Sequence, residues 1–371
     1  MKLRENIYSV RAVDGDLRVL HGYEIPIGTT YNAYLVLDDK VTLIDFVKHG
    51  FADELIRNIK AIIGDRPIDY IICNHAEPDH SGALPVVTRE YPHAVVYATA
   101  SCLRELKAYY PESSYEAVPV KSGDTLSTGR YTFQFIPMPM IHWPDSMSTY
   151  LVQEKVLFSN DAFGQHIGTG ELSDAEIPLE HLLSRAGDYY ANIVLPYSVQ
   201  VKKLLGAVGG LEIDMICPAH GVILKQHVSR VIEKYSDWCE NKTIDNKVVI
   251  IYDTMWGTTH KLAEKLRAEY LQKGCTVEFI QLSKAHVSYA MAHLLDARYV
   301  FVGSPTLNNQ VMPTVAAFLS YMRGLKPKNR VGCAFGSYGW SGESITQINE
   351  ALAACGFEML DPLKVMWNFT D

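Results

Sequence analysis

The run Asn74-His-Ala-Glu-Pro-Asp-His-Ser-Gly82 gathers two imidazoles and two carboxylates, His75, Glu77, Asp79 and His80, directly after the apolar segment Tyr70-Ile-Ile-Cys73. Imidazole nitrogens and carboxylate oxygens together suit borderline first-row metals, and ligands at both ends of so short a stretch point to two ions rather than one. The bland alternative is a polar loop with stray histidines. The strand-like run before it and Ser81-Gly82 after it fit a ligand-bearing turn at a strand end instead.

A two-ion site needs more ligands, and three later segments offer them after apolar or strand-like runs: Pro139-Met-Ile-His142, Phe158-Ser-Asn-Asp161 and Ile216-Cys-Pro-Ala-His220-Gly221. Loops at strand ends can bring distant sequence positions to one point. In this order the ligands resemble the metallo-β-lactamase superfamily, whose hydrolases carry His-x-His-x-Asp-His, then a His, a bridging Asp and a last His. Glu77 stands where a zinc hydrolase has its second histidine, and this exchange of a neutral imidazole for a hard anionic oxygen favours iron. With the flavin-type sequence that follows, the chain resembles the flavodiiron proteins over nearly its whole length. That resemblance implies one iron held by His75, Glu77 and His142, the other by Asp79, His80 and His220, and Asp161 bridging both. It also implies that His21 and Tyr197 lie beside the substrate pocket as hydrogen-bond or proton donors. The remaining histidines read as surface or satisfied interior residues; His166, five positions after the expected bridge, has the alternative of standing behind a metal ligand as its support.

A second constellation lies in Tyr252-Asp-Thr-Met-Trp-Gly-Thr-Thr259, at the junction of a strand and a helix. Backbone N–H groups at a helix start, joined by the hydroxyls of Thr254, Thr258 and Thr259, make a cradle for a phosphate dianion. The loop lacks both the Gly-Lys-Ser/Thr ending of a Walker motif and the Gly-x-Gly-x-x-Gly of dinucleotide folds. It resembles the flavodoxin phosphate loop, which implies FMN. The candidate flavin contacts are Thr254, Met255, Trp256, Gly257, Thr258 and Thr259, then Ser304, Pro305, Thr306, Leu307, Asn308 and Asn309. A third loop adds Ser337, Tyr338, Gly339, Trp340, Ser341 and Gly342, with Tyr338 and Trp340 offering aromatic faces.

These loops require two kinds of scaffold. Between Tyr31 and about Met215, short strand-like runs (34–37, 41–44, 94–97, 131–136, 155–158) alternate with turns and a few helices, the pattern of stacked sheets with flanking helices. After Lys247, strands and helices alternate regularly: strands 247–252, 276–282, 298–302, 330–335 and 363–367, with helices near 259–273, 287–295, 313–323 and 343–355. That is a doubly wound parallel sheet. The expected fold is therefore α/β, an N-terminal αββα metallo-β-lactamase-like sandwich over 1–244 and a flavodoxin-like domain over 247–371. The chain stops just after the fifth strand, so the last flavodoxin helix reads as missing.

The 371 residues, 48% hydrophobic and 20% charged, are enough for two domains. A net charge of −8 without a basic run gives no footprint for nucleic acid or an anionic membrane. No apolar stretch reaches the ~20 residues of a membrane span, and the first residues lack a signal-peptide core, so a cytoplasmic setting is expected. The seven cysteines, Cys73, Cys102, Cys217, Cys239, Cys275, Cys333 and Cys355, contain no Cys-x-x-Cys pair. Neither a disulfide framework nor a rubredoxin-type centre is built into the chain.

The leading expectation is an oxidoreductase passing electrons from FMN to a non-haem diiron site that reduces dioxygen to water, nitric oxide to nitrous oxide, or both. Two ferrous ions and one fully reduced flavin hold the four electrons that dioxygen needs. The resemblance further implies a head-to-tail homodimer, pairing the FMN of one chain with the irons of the next, and an external donor such as rubredoxin or a reduced deazaflavin. The competing readings are a metal-dependent ester or thioester hydrolase with an accessory flavodoxin-like domain, and a non-enzymatic electron carrier.

Overall fold

A computed structural model describes residues 1–367. The chain forms two compact units: one of Met1–Leu20, Ile25–Ala186 and Val199–Tyr235, the other of His21–Glu24, Gly187–Ser198 and the chain from Ser236 on.

The first unit is a two-sheet sandwich. Its seven-stranded sheet runs Lys2–Arg4, Ile7–Ser9, Tyr34–Val36, Thr42–Ile44, Tyr70–Ile72, Val95–Thr99 and Glu116–Val120 in spatial order. Pairing is antiparallel up to Thr42–Ile44 and parallel from there on, with Ile44 opposite Ile72 and Ile72 opposite Tyr97. The five-stranded sheet runs Thr125–Ser127, Thr132–Pro137, Met147–Leu151, Val156–Asn160 and Met215–Pro218. Only its last pair is parallel.

Strand alternation explains the core. Tyr34, Val36, Ile44 and Ile72 from one sheet meet Phe133, Phe135, Leu151, Val156 and Phe158 from the other, all buried. On the far side of the seven-stranded sheet, helix Ala52–Ile63 buries Ala52, Leu55, Ile59 and Ile63, the three-to-four spacing of a single helical stripe. Asp53 and Glu54 sit in its first turn, where the helix dipole favours anions. Helix Ala100–Tyr109 joins the same cluster through Cys102 and Leu106. Leu157 and Ile216 point away from the inter-sheet core yet are also buried, so the outer face of the five-stranded sheet is covered as well.

The second unit is a parallel sheet in the order Thr276–Gln281, Ile244–Tyr252, Ala297–Gly303, Val331–Tyr338, with Glu358–Met359 and Leu363–Met366 both pairing with Val331–Tyr338. Helices Thr258–Gln272, Val287–Leu294, Pro313–Leu325 and Glu343–Ala354 supply the crossovers. The first strand begins earlier than the sequence pattern indicates because Ile244 pairs with Ala297 through a register shift. The last strand is split: Pro362, which has no N–H for a ladder, falls between its two pieces. The sequence expectation for the end of the chain, at 368–371, lies outside the described residues.

Phe158 is wholly buried between the sheets. Phe158→Ala is expected to destabilise the first unit by about 3–5 kcal/mol, read as a lowered urea midpoint for its unfolding transition.

Candidate metal centre and flavin loops

Every expected metal ligand follows the C-terminal end of a strand in the first unit. His75 comes after Tyr70–Ile72, Asp79 and His80 lie in the short helix Pro78–Ser81, His142 follows Thr132–Pro137, Asp161 follows Val156–Asn160 and His220 follows Met215–Pro218. The structure brings them together as two clusters, one of His75, Glu77, His142 and Asp161, the other of Asp79, His80 and His220.

Asp161 joins the clusters. Its Oδ2 lies 3.5 Å from His75 Nε2 and 3.5 Å from His142 Nε2, while its Oδ1 lies 3.0 Å from His80 Nε2 and 3.7 Å from His220 Nε2. Glu77 Oε2 sits 3.2 Å from His75 Nε2 and 3.0 Å from His142 Nε2. Asp79 holds the equivalent place in the other cluster, 3.3 Å from both His80 Nε2 and His220 Nε2. Each half therefore presents two imidazole nitrogens and one carboxylate of its own, the donor set of non-haem iron sites, and shares one further carboxylate.

The electrostatics fit a pair of cations. Glu77, Asp79 and Asp161 are 5%, 7% and 1% exposed, and three carboxylates so close in a dry interior repel one another unless positive charge lies among them. Burial pushes Asp161 up, but the charge of His80 and its hydrogen bond, with His75 and His142, outweigh this and hold it well below the usual carboxylate range. Burial likewise opposes protonation of His75, but hydrogen bonds to Asp145 and Glu77 raise it well above the ordinary imidazole value. His80 behaves in the same way: burial lowers it, the charges of Asp79 and Asp161 raise it, and it ends at about 10. Protons on these nitrogens are the ones that metal binding would displace.

Several supports were not singled out by sequence reasoning. Asp145, three residues after His142, places its two carboxylate oxygens 3.0 Å from His75 Nδ1 and accepts from Ala76 N at 2.7 Å. Asp45 accepts from Asn74 N at 2.7 Å, Asn74 Nδ2 at 2.9 Å and Asn160 Nδ2 at 3.3 Å, tying the His75 loop to the Asp161 loop. The signals available were faint: an Asp following His142 in Trp-Pro-Asp, and an Asp ending the apolar run 41–44. His166, for which the sequence left open a role behind a ligand, is 2% exposed and packs against His220 with the rings tilted by 55° and their centroids 4.7 Å apart.

His220 is aimed by its neighbour. Gly221 has φ +83°, and a Cβ there would lie 1.9 Å from Gln165 Oε1 and 2.3 Å from the Gln165 carbonyl oxygen. Its N–H donates to Thr30 Oγ1 at 2.7 Å. Only glycine turns the chain so tightly against that wall.

In the second unit the three expected flavin loops follow the strands Ile244–Tyr252, Ala297–Gly303 and Val331–Tyr338, at the end of the sheet where the strand order reverses. They are bonded to each other: Thr259 Oγ1 lies 2.8 Å from Ser337 Oγ, Thr306 N donates to Ser337 O at 2.9 Å, and Thr306 Oγ1 lies 2.8 Å from Ser344 Oγ. Thr254 Oγ1 accepts from Gly257 N at 3.1 Å at the start of helix Thr258–Gln272. Met255, Trp256 and Trp340 are exposed, at 40%, 92% and 81%. Asp253, also not singled out, is buried and accepts from Thr254 N, Ser283 Oγ and Thr314 Oγ1 at 2.9, 3.0 and 2.6 Å. His21, exposed in the turn between Val19–Leu20 and Tyr23–Glu24, and Tyr197, half-buried at the end of a short 3-10 turn, both group with this second unit.

Comparison with known proteins decides the family. A model described as ODP family beta lactamase matches residues 29–221, and one described as flavodoxin matches residues 250–368. The chain is 42% identical to the rubredoxin-oxygen oxidoreductase of Megalodesulfovibrio gigas, over 98% of this chain and 92% of that one. The solved flavodiiron protein of Giardia intestinalis superposes with a TM-score of 0.97 at 34% identity, covering 100% of this chain and 91% of that one. The chain belongs to the flavodiiron protein family. Among other flavodiiron relatives, a nitric oxide reductase of Moorella thermoacetica is 41% identical over 96% of this chain and 90% of its own. Membership makes the chain an oxidoreductase and removes the hydrolase and pure-carrier alternatives.

Two outcomes follow from this geometry. Gly221→Ala is expected to cost about 1–3 kcal/mol of backbone strain and to lower the metal held through His220, measured by metal analysis, whereas Gly206→Ala, with open space around it, leaves metal content unchanged. Asp253→Ala removes the shared acceptor of Thr254 N, Thr314 Oγ1 and the exposed Ser283 Oγ beside the flavin loops, about 1–3 kcal/mol, and is expected to weaken FMN retention about tenfold, read from the flavin absorbance of dialysed protein.

Proposed function

We propose that this flavodiiron chain reduces dioxygen to water, nitric oxide to nitrous oxide, or both, at two iron ions replenished by FMN. The observation that carries the reading is the Asp161 carboxylate, with one oxygen toward each two-histidine, one-carboxylate cluster. Bound irons supply electrons and open coordination positions for a diatomic oxidant, and the flavin supplies the electrons that restore them.

The protein's own groups do the rest. His75, Glu77 and His142 would hold one ion and Asp79, His80 and His220 the other, with the Asp161 carboxylate facing both. Asp145 fixes the His75 imidazole with Nε2 inward, and the near-complete burial of the cage keeps bulk water from its charges. In the second domain, taken as 247–371 against 1–244 for the first, the hydroxyls and backbone N–H groups at Thr254–Thr259 receive the FMN phosphate. Loops 304–309 and 337–342 flank its ring. His21 and Tyr197 serve as hydrogen-bond or proton donors to the bound substrate.

Electrons cross between chains of a head-to-tail homodimer, and a rubredoxin-type protein or a reduced deazaflavin is the donor. The setting is cytoplasmic; no helix among the described residues is long and apolar enough to cross a membrane.

The test is anaerobic reduction of protein with measured iron and FMN, followed by separate additions of dioxygen and nitric oxide with product detection. Consumption of at least one is expected, with water or nitrous oxide as product; full cofactor occupancy with neither product overturns the reading. Asp161→Ala is expected to abolish turnover while keeping the flavin spectrum. A separated monomer with full turnover would remove the cross-chain path.

A further inference from the structure

His220 presents Nε2 to the metal cage, so its other nitrogen decides how firmly and how strongly that imidazole can donate. His220 Nδ1 lies 2.8 Å from the Thr30 carbonyl oxygen and 3.3 Å from Thr29 Oγ1. Thr29 Oγ1 in turn lies 2.8 Å from His166 Nδ1. Thr29 is wholly buried and His166 is 2% exposed.

The tautomer of each ring sets where the protons lie. With Nε2 reserved for a metal, a neutral His220 carries its proton on Nδ1 and donates it to Thr30 O, with Thr29 Oγ1 as the second acceptor. The Thr29 hydroxyl has one proton. It has a short path to His166 Nδ1 at 2.8 Å and a longer one to Thr30 O at 3.3 Å, where a donor already sits. With His166 in its Nε2–H tautomer, Nδ1 accepts from the Thr29 hydroxyl, and the three groups form a chain running from His220 through Thr29 to His166. Hydrogen bonds in such a chain polarise one another: a Thr29 oxygen that gives its proton away accepts more strongly from His220. The His220 imidazole then donates more electron density at Nε2.

The His166 segment is itself braced against the His220 loop. Gln165 N donates to His220 O at 3.3 Å, and Gln165 Oε1 accepts from Val222 N at 2.8 Å. By contrast, His75 draws its support from the charged Asp145. Of these two imidazoles, His75 thus has a carboxylate behind it, and His220 has a carbonyl and a hydroxyl.

We propose that His166, acting through Thr29, is a positioning residue for His220, and that this pair sets the affinity and reduction potential of the ion bound by Asp79, His80 and His220. The inference rests on the two-iron reading above. Loss of an outer hydrogen-bond partner of a metal-binding histidine typically costs about 10–100-fold in affinity. Thr29→Val, nearly isosteric, and His166→Ala should each impose a loss of this size on one of the two ions and leave the other and the FMN in place. Thr29→Ser and His166→Gln, which keep a hydroxyl and an acceptor respectively, should restore binding.

The experiment titrates metal-free, FMN-containing full-length protein with ferrous iron under anaerobic conditions, then follows the redox titration of the loaded protein by electron paramagnetic resonance. The expected result is a two-step isotherm in which only one step weakens in Thr29→Val and His166→Ala, together with a rise in potential at one half of the site. Wild-type isotherms and potentials in both variants overturn the proposal, as does equal loss of both ions with a lowered melting temperature, which is what a merely structural role gives. Failure of the wild-type chain to bind two ions at all would instead defeat the two-iron reading.

Discussion

Unlike charges packed together without water are the constraint on which the first unit depends. Seven donors, four imidazoles and three carboxylates, converge where almost no solvent reaches. Such an arrangement is unfavourable unless each charge faces its opposite, and the Asp161 carboxylate achieves this for both halves at once. The sandwich supplies the rigidity. Its interdigitated aromatic and aliphatic side chains fix where the strands end, and Asp45, reaching Asn74 and Asn160, holds two of those ends together. Asp45 and Asn160 both adopt left-handed backbone, with φ of 55° and 51°, so these turns bend more sharply than ordinary strand exits.

The second unit meets a milder version of the same problem. Its central strands are buried over the halves that lead into the flavin loops, as the unbroken run Val248–Tyr252 shows, and a polar cluster begins where that run stops. There Asp253 gathers one N–H and two hydroxyls from three different segments, and the hydroxyl pair Thr259–Ser337 ties two loops across the sheet end. Both halves of the chain thus keep their apolar residues in the sheets and their chemistry in the loops that leave them.

Much of this was legible in the residues. The dense run 75–80, the later His142, Asp161 and His220, and the alternation of strand and helix after Lys247 carry strong local signals, because metal donors and hydrophobic periodicity are written in residue type and spacing. The two clusters contain the same seven residues that spacing and resemblance had singled out. What escaped were the groups that act through others. Asp45, Asp145, Thr29 and Asp253 belong to residue types that are commonplace in turns and strands, and only folding brings them against a ligand or a loop. His166 stood out from the other histidines by its place five positions after Asp161, but no sequence signal showed that it would reach His220 through Thr29. The split of the last strand at Pro362 and the early start at Ile244 were missed because each depends on pairing with a distant strand.

The ligands come from four loops spread between His75 and His220, and the unit that holds them closes only when residues up to Tyr235 have joined it. Contacts so distant in sequence form late, after most of the chain's entropy has been surrendered. A polypeptide that ends before His220 therefore lacks one of the seven donors, and the full set exists only once the last of the four loops is in place. Such an arrangement ties a two-metal donor set to completion of the fold, because no short fragment of the chain carries it.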